Sequence, residues 1–242
     1  MKKPQYQFKP PPKRFQPRGL QILFEDRDLI VANKSVGLLT VKNHHEKKRT
    51  AHALLTNYVK KGNTRSRNNV FTVHRLDRDT SGVIVFAKSH PVMEFLKAEW
   101  STFSKTYAAV VHGHPPAEHG FITSHLAEDK NYVMHAVDDP KKGKLAKTEY
   151  RVISHSDDFS LLEIKLHTGR KNQIRVHMAD QGCPVAGDAK YGGEAYDKRN
   201  RHIRRLALHA AELIIKHPHT KQKLLFEAEI PDLFETLVNA SA

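Results

Sequence analysis

The chain has 242 residues, with 40 Lys plus Arg against 26 Asp plus Glu, a formal charge of +14 and a pI near 9.8. That length can bury a full core as one large domain or two small ones, and the charge favours a polyanionic partner. No run approaches the roughly 18 apolar residues that span a bilayer, and the amino end lacks the apolar segment of a signal peptide. The single cysteine, Cys183, can form neither an internal disulfide nor a thiolate zinc site, and a globular protein of the cytoplasm is expected.

Residues 1–19 carry six Lys or Arg, no acid, and prolines at 4, 10, 11, 12 and 17. This composition reads as a flexible basic tail, with the folded domain running over 20–242. Two short strands are expected at 21–24 and 29–32 around a turn at 25–28, and residues 34–41 read as a turn running into another strand. Thr50 is placed to cap a helix whose apolar positions Ala51, Leu54, Leu55, Tyr58 and Val59 share one face. After residues 74–82, HRLDRDTSG, a β-branched strand follows at 83–87, and Ser89 with Pro91 signals a helix start. A strand at 105–111 is followed by an irregular region at about 121–143, where periodicity is poor. Strands at 146–154 and 159–166 flank a turn at 156–158.

Thr168 reads as the cap of a helix carrying Ile174, His177 and Met178 on one face, with Gly182 as its stop. Arg170 and Arg175 then sit near its amino end, an arrangement suited to an anion. A glycine-rich loop at 187–193 holds Asp188, Lys190 and Tyr191, and the basic stretch 197–205 reads as an exposed loop. Strands at 206–211 and 224–230 and a helix opened by Pro231-Asp232 close the chain. There is no internal repeat, phosphate-binding glycine loop or dinucleotide fingerprint. The fold class expected is α+β, with a mixed, mostly antiparallel central sheet and flanking helices and loops.

Asp77 and Asp79 stand among two arginines and a histidine, just ahead of a glycine and a strand. A carboxylate so placed can be a nucleophile, a base or a structural acceptor. Carboxylates attack sugar anomeric carbons, so a basic protein with such a residue suggests chemistry at the ribose of a nucleotide. Asp79, two residues on, would face the other way on an extended segment, which disfavours a paired-carboxylate hydrolase.

HRLDRDTSG at 74–82, KTYAAVV at 105–111, AKTEYRVI at 146–153, TGRKNQIRVH at 168–177 and LALHA at 206–210 occur in the order found in RluA-type RNA pseudouridine synthases. From about residue 20 to 238 the chain resembles that family. The resemblance implies the pseudouridine synthase fold and a cofactor-free, metal-free isomerisation of a uridine within structured RNA, transfer or ribosomal. The nitrogen glycosidic bond breaks, the uracil turns, and a carbon glycosidic bond forms at ring carbon 5. It also implies that Asp77 is the catalytic aspartate, by attack on the anomeric carbon or by a glycal route. Tyr107 is the active-site tyrosine, which stacks on uracil and helps in proton removal. Arg175 is the arginine paired with the aspartate, Leu208 packs under the base, and Arg75 acts when the nucleotide is flipped out. Arg170 is a candidate for substrate binding. Asp79, Thr80 and Ser81 shape the loop, and His74, His177 and His209 bond within the fold.

The chain has Lys34-Ser35 where the family often has Lys-Pro, and Asn172 where it often has His. Residues 1–19 are too short for the appended RNA-binding domain of many relatives. RNA capture is thus assigned to the basic stretches 42–49, 60–67, 141–151 and 197–205. No protein partner is implied and a monomer is expected. Two rival readings are an RNA-folding chaperone without turnover, which would lack the nucleophile, and a nucleic-acid glycosidase, which would release free base.

Overall fold

In a computed structural model of the chain, residues 8–44, 46–193, 203 and 205–239 are described. The basic stretch 197–205 falls outside them except at Ile203 and Arg205. The chain divides into two compact units, Met1–Phe103 with Ala210–Glu229, and Ser104–His209 with Ile230–Ala242. The stretch 20–242, read from the sequence as one domain, contributes to both.

In the first unit, β1 (Leu20–Glu25) and β2 (Leu29–Lys34) form an antiparallel hairpin. Its turn is tied by Asp26, whose Oδ1 accepts from the N–H groups of Asp28 and Leu29 at 2.8 and 2.7 Å. α1 (Ala51–Lys60) starts at Thr50, whose hydroxyl accepts from Ala53 N–H at 3.2 Å, and buries Ala51, Leu55 and Val59. Next come β3 (Phe71–Thr72) and β4 (Ser81–Ala87), and then α2 (His90–Ala98), capped by Ser89. β10 (Leu208–Lys216) enters this unit at Ala210 and pairs with β11 (Lys223–Glu227), giving the neighbour order β1-β2-β4-β10-β11, with β3 also on β4.

Every residue of β4 is buried, as a continuous apolar run on a central strand requires. Its Val83, Val85 and Ala87 join Phe24, Leu96 and Phe226 in the core, and Phe8 packs its ring 5.7 Å from that of Phe24. Residues 38–41 are not the strand their composition predicts. Leu39 makes only an isolated bridge to Thr50, because the chain here turns through side-chain and backbone clamps described below.

In the second unit, β5 (Ser104–His112), β6 (His119–Glu128), β7 (Met134–Val137), β8 (Lys144–His155) and β9 (Phe159–Leu166) have the order β5-β9-β8-β6-β7 with antiparallel pairing throughout. The region read as irregular thus contains a ten-residue strand, β6. Leu126 is its only fully buried residue, so no apolar alternation marked it. The basic stretch 141–151 likewise becomes mostly strand, from Lys144 onward. α3 (Gln173–Asp180) packs on β7 and β8, and α4 (Asp232–Asn239) buries Phe234, Leu237 and Val238.

Gly82, the last residue of HRLDRDTSG, has φ +114°, and a Cβ there would lie 2.2 Å from the Ala210 carbonyl oxygen of β10. Backbone cannot yield as a side chain does. Gly82→Ala is expected to cost at least about 3 kcal/mol from the contact and the positive φ together, read as a fall in the urea midpoint at unchanged slope.

Candidate active site

The HRLDRDTSG loop is clamped on both sides of Asp77. The Thr40 hydroxyl donates to the Leu76 carbonyl at 2.8 Å and accepts from Leu76 N–H at 3.1 Å. Lys34 is fully buried, and its Nζ donates to the carbonyls of Ser35, Leu38 and Arg78 at 3.0, 2.9 and 3.2 Å. Gly37 N–H donates to the Arg78 carbonyl at 2.9 Å, and Arg78 Nε to the Gly37 carbonyl at 3.3 Å. His74 takes the Val85 N–H of β4 on its Nε2 at 3.1 Å and stacks on Trp100 at 4.4 Å. Thr80 N–H closes a turn on the Asp77 carbonyl at 3.2 Å.

Asp77 is thereby presented half-buried from a turn whose neighbours on both sides are tied to the fold, while Arg75 is exposed. Fixing the backbone in advance removes a reorganisation cost from any reaction at that carboxylate.

In the second unit, the Arg175 guanidinium forms a two-pronged pair with Asp188. Nε donates to Oδ2 at 2.7 Å and Nη2 to Oδ1 at 2.6 Å. Asp188 is 1% exposed and also accepts from the N–H groups of Lys190 and Tyr191 at 2.9 and 3.1 Å. The guanidinium lies 5.0 Å above the Tyr191 ring, whose hydroxyl donates to Asn172 Oδ1 at 3.0 Å and accepts from Met134 N–H at 3.1 Å. The sequence placed Asp188 in a glycine-rich loop without a role. The signal available was a lone acid between glycines, ordinarily a turn residue. Its pairing uses the Nε and Nη2 donors of Arg175.

α3 begins at Gln173, not at Thr168. Its N-cap position is Asn172, in the left-handed region at φ 53°, without a side-chain cap bond. Thr168 instead accepts from Lys147 N–H at 2.8 Å and donates to Gln173 Oε1 at 2.8 Å. Gln173 is buried with its amide fully used, accepting also from Arg170 N–H and donating to the Lys147 carbonyl and Thr148 hydroxyl. His177, one turn on, bonds Thr148 through Nδ1 at 2.8 Å and Ser124 through Nε2 at 3.0 Å. These contacts lock α3 to β6 and β8 and so set where Arg175 stands.

Arg170 is exposed and donates from Nε to the Leu145 carbonyl at 2.9 Å. It tethers the segment before α3 to β8 rather than standing at the helix amino end. Tyr107 is half-buried on β5, opposite Ile164. Lys105, two residues earlier and therefore on the same side of that strand, is buried, which pushes its ammonium below the usual range. Leu208 is buried at the start of β10. Asp77 and Arg75 belong to the first unit, and Tyr107, Arg170, Arg175 and Leu208 to the second. Cys183 is buried and its thiol is pushed up to about 11, which leaves it a poor nucleophile at neutral pH.

The geometry yields two expectations. Asp188→Asn removes the buried charge that pairs with the partly buried Arg175. Loss of one member of such a pair costs about 3–5 kcal/mol, to be read by urea unfolding, with Asp188→Glu restoring part of it. His177 has its pKa lowered by burial from 6.5 to about 4. The unfolded chain then binds more protons than the folded chain between those values, so stability is full above about pH 6.5 and falls with acidification toward pH 4, by up to about 1.4 kcal/mol per pH unit. Between pH 7.5 and pH 5 the wild type should lose about 1–2 kcal/mol more than His177→Gln, measured by urea midpoints.

The clamped aspartate loop thus stands beside a fully buried strand in the first unit, and the strands of the second unit pair antiparallel. The family model described as RNA pseudouridylate synthase matches residues 28–180, more than half of the chain. An "Uncharacterized RNA pseudouridine synthase YhcT" of Bacillus subtilis is 36% identical over 218 residues, covering 88% of this chain and 69% of the relative. The "Ribosomal large subunit pseudouridine synthase D" of Zymomonas mobilis is 35% identical over 244 residues, covering 94% and 75%. Among solved structures, human RNA pseudouridylate synthase domain containing 4 superposes with a TM-score of 0.73 at 25% identity, covering 88% and 90%. The chain belongs to the RNA pseudouridylate synthase family. It is accordingly an isomerase acting on uridine in RNA.

Proposed function

We propose that the chain isomerises a uridine of structured RNA through Asp77. The observation that carries this reading is the clamped turn, which holds a half-buried carboxylate between pinned neighbours in a family whose reaction is isomerisation of uridine. Tyr107 is assigned to stack on the uracil and assist removal of the proton from carbon 5. Arg175 is assigned to orient the reacting aspartate. Arg75 takes part in extruding the nucleotide, Leu208 packs under the base, and Arg170 contributes to substrate binding. Breaking the bond to nitrogen and forming that to carbon 5 is redox-neutral, so the residues need only hold the sugar, turn the base and move one proton.

The relative named for the ribosomal large subunit puts ribosomal RNA first among the substrates to test, with transfer RNA second. Pseudouridine mapping of total RNA from cells with and without the gene would name the position. The decisive assay uses RNA tritiated at uracil carbon 5. Isomerisation sends tritium to water while the base stays attached, a glycosidase would liberate the base, and a chaperone would do neither. Asp77→Asn is expected to lower tritium release by at least about a thousandfold, as loss of a nucleophile does, with RNA affinity kept. Tyr107→Phe keeps the ring but loses the phenol, and is expected to lower kcat by about a hundredfold with KM little changed. Turnover by Asp77→Asn would remove that residue from its role.

A further inference from the structure

Arg18, Arg49 and Arg78, far apart in sequence, line one cavity of about 670 Å3 in the first unit, with Val36, Leu38 and Leu39 on its apolar wall. Glu46, the one acid among the described lining residues, already accepts on Oε1 from the N–H groups of Lys48 and Arg49 at 2.9 and 2.8 Å. Three arginines lining a concave space attract an anion, and the forked donors of a guanidinium match the oxygens of a phosphodiester. The apolar wall adds a surface for a sugar or base. The rim is rigid on one side, because Lys34 holds the carbonyls of Ser35, Leu38 and Arg78, and Arg78 Nε is tied to Gly37. Gly37, with φ +77°, has nothing within 4 Å of where a Cβ would stand, so the cavity is open at that point.

We infer that this cavity receives one nucleotide of the RNA substrate next to the uridine that reacts, its phosphate on the three arginines and its sugar or base against Val36, Leu38 and Leu39. Arg78 follows Asp77 directly in the chain. A phosphate seated on it would set the register of the RNA strand against the reacting carboxylate. The cavity would thus be a register-setting subsite. It rests on the reading of RNA as substrate, but not on Asp77 as nucleophile, because every arm of its test measures binding.

The probe is an RNA stem-loop with uridines in its loop, titrated at several salt concentrations against the full chain. Arg18→Gln/Arg49→Gln is expected to weaken affinity at least about tenfold at low salt and to reduce the slope of log affinity against log salt by about one. Lys97→Gln/Lys223→Gln removes the same charge from exposed positions elsewhere in the unit and should change the slope by less than about 0.3. Val36→Trp fills the cavity without changing charge and should weaken binding about fivefold or more, with a melting curve like that of the wild type confirming the fold. Equal slopes for the two double variants, or full affinity of Val36→Trp, would overturn the proposal, since the arginines would then act only through the general surface field. If the wild type itself failed to bind RNA, the substrate reading would fall instead.

Discussion

The buried ammonium of Lys34 is the constraint on which the motif loop depends. A lysine taken wholly out of water is costly unless each of its donors is used. Here three backbone carbonyls from two separate stretches of chain use them. Residues 35–38 and the Arg78 carbonyl are thereby drawn to one point, and carbonyls that would otherwise compete for water are satisfied in the same step. With Thr40 holding Leu76 from the other side, the chain on each side of Asp77 has almost no choice of path. The family often has proline after this lysine, and the chain has Ser35. The stiffness proline would supply comes here from hydrogen bonds.

The second unit solves a related problem with neutral groups and one ion pair. Gln173 and His177 present polar side chains from α3 to strands β6 and β8, and each polar atom meets a hydroxyl or backbone partner. Such a network tolerates little displacement, because each unmade bond would leave a buried group without water. Asp188 is buried in the same way against a partly buried Arg175, and its backbone N–H donors help to offset the desolvation of the carboxylate. α3 is short and only weakly apolar on its outer side. Directional bonds act with the burial of Ile174, Val176 and Met178 to set its position.

Hairpin β1–β2, strands β8 and β9, the caps Thr50 and Ser89 and the fully buried β4 were legible because each rests on local chemistry. Turn acids, capping hydroxyls and an unbroken β-branched run act within a few residues of themselves. Strand β6 was illegible because exposure removes the alternation that marks a strand. The apolar run 38–41 misled because its path is decided by Thr40 bonding to Leu76, 36 residues away. Thr168 has the chemistry of a cap, yet its hydroxyl is claimed by Lys147 and Gln173, so the helix opens later on an uncapped Asn172.

The sequence by itself determined the chemistry available. It set a basic chain, an aspartate among arginines ahead of a glycine and a strand, and a run of motifs specific enough to name a family. It also determined that Gly82 must be glycine wherever a positive φ is needed, although the reason, the Ala210 backbone of β10, comes from more than a hundred residues away. Only the tertiary structure decided that Lys34 holds the loop of Asp77, that Asp188 holds Arg175, and that Arg18, Arg49 and Arg78 share one cavity. Each of these joins groups remote in sequence. Which donor finds which acceptor across such a separation depends on packing the whole chain, and no local pattern encodes it.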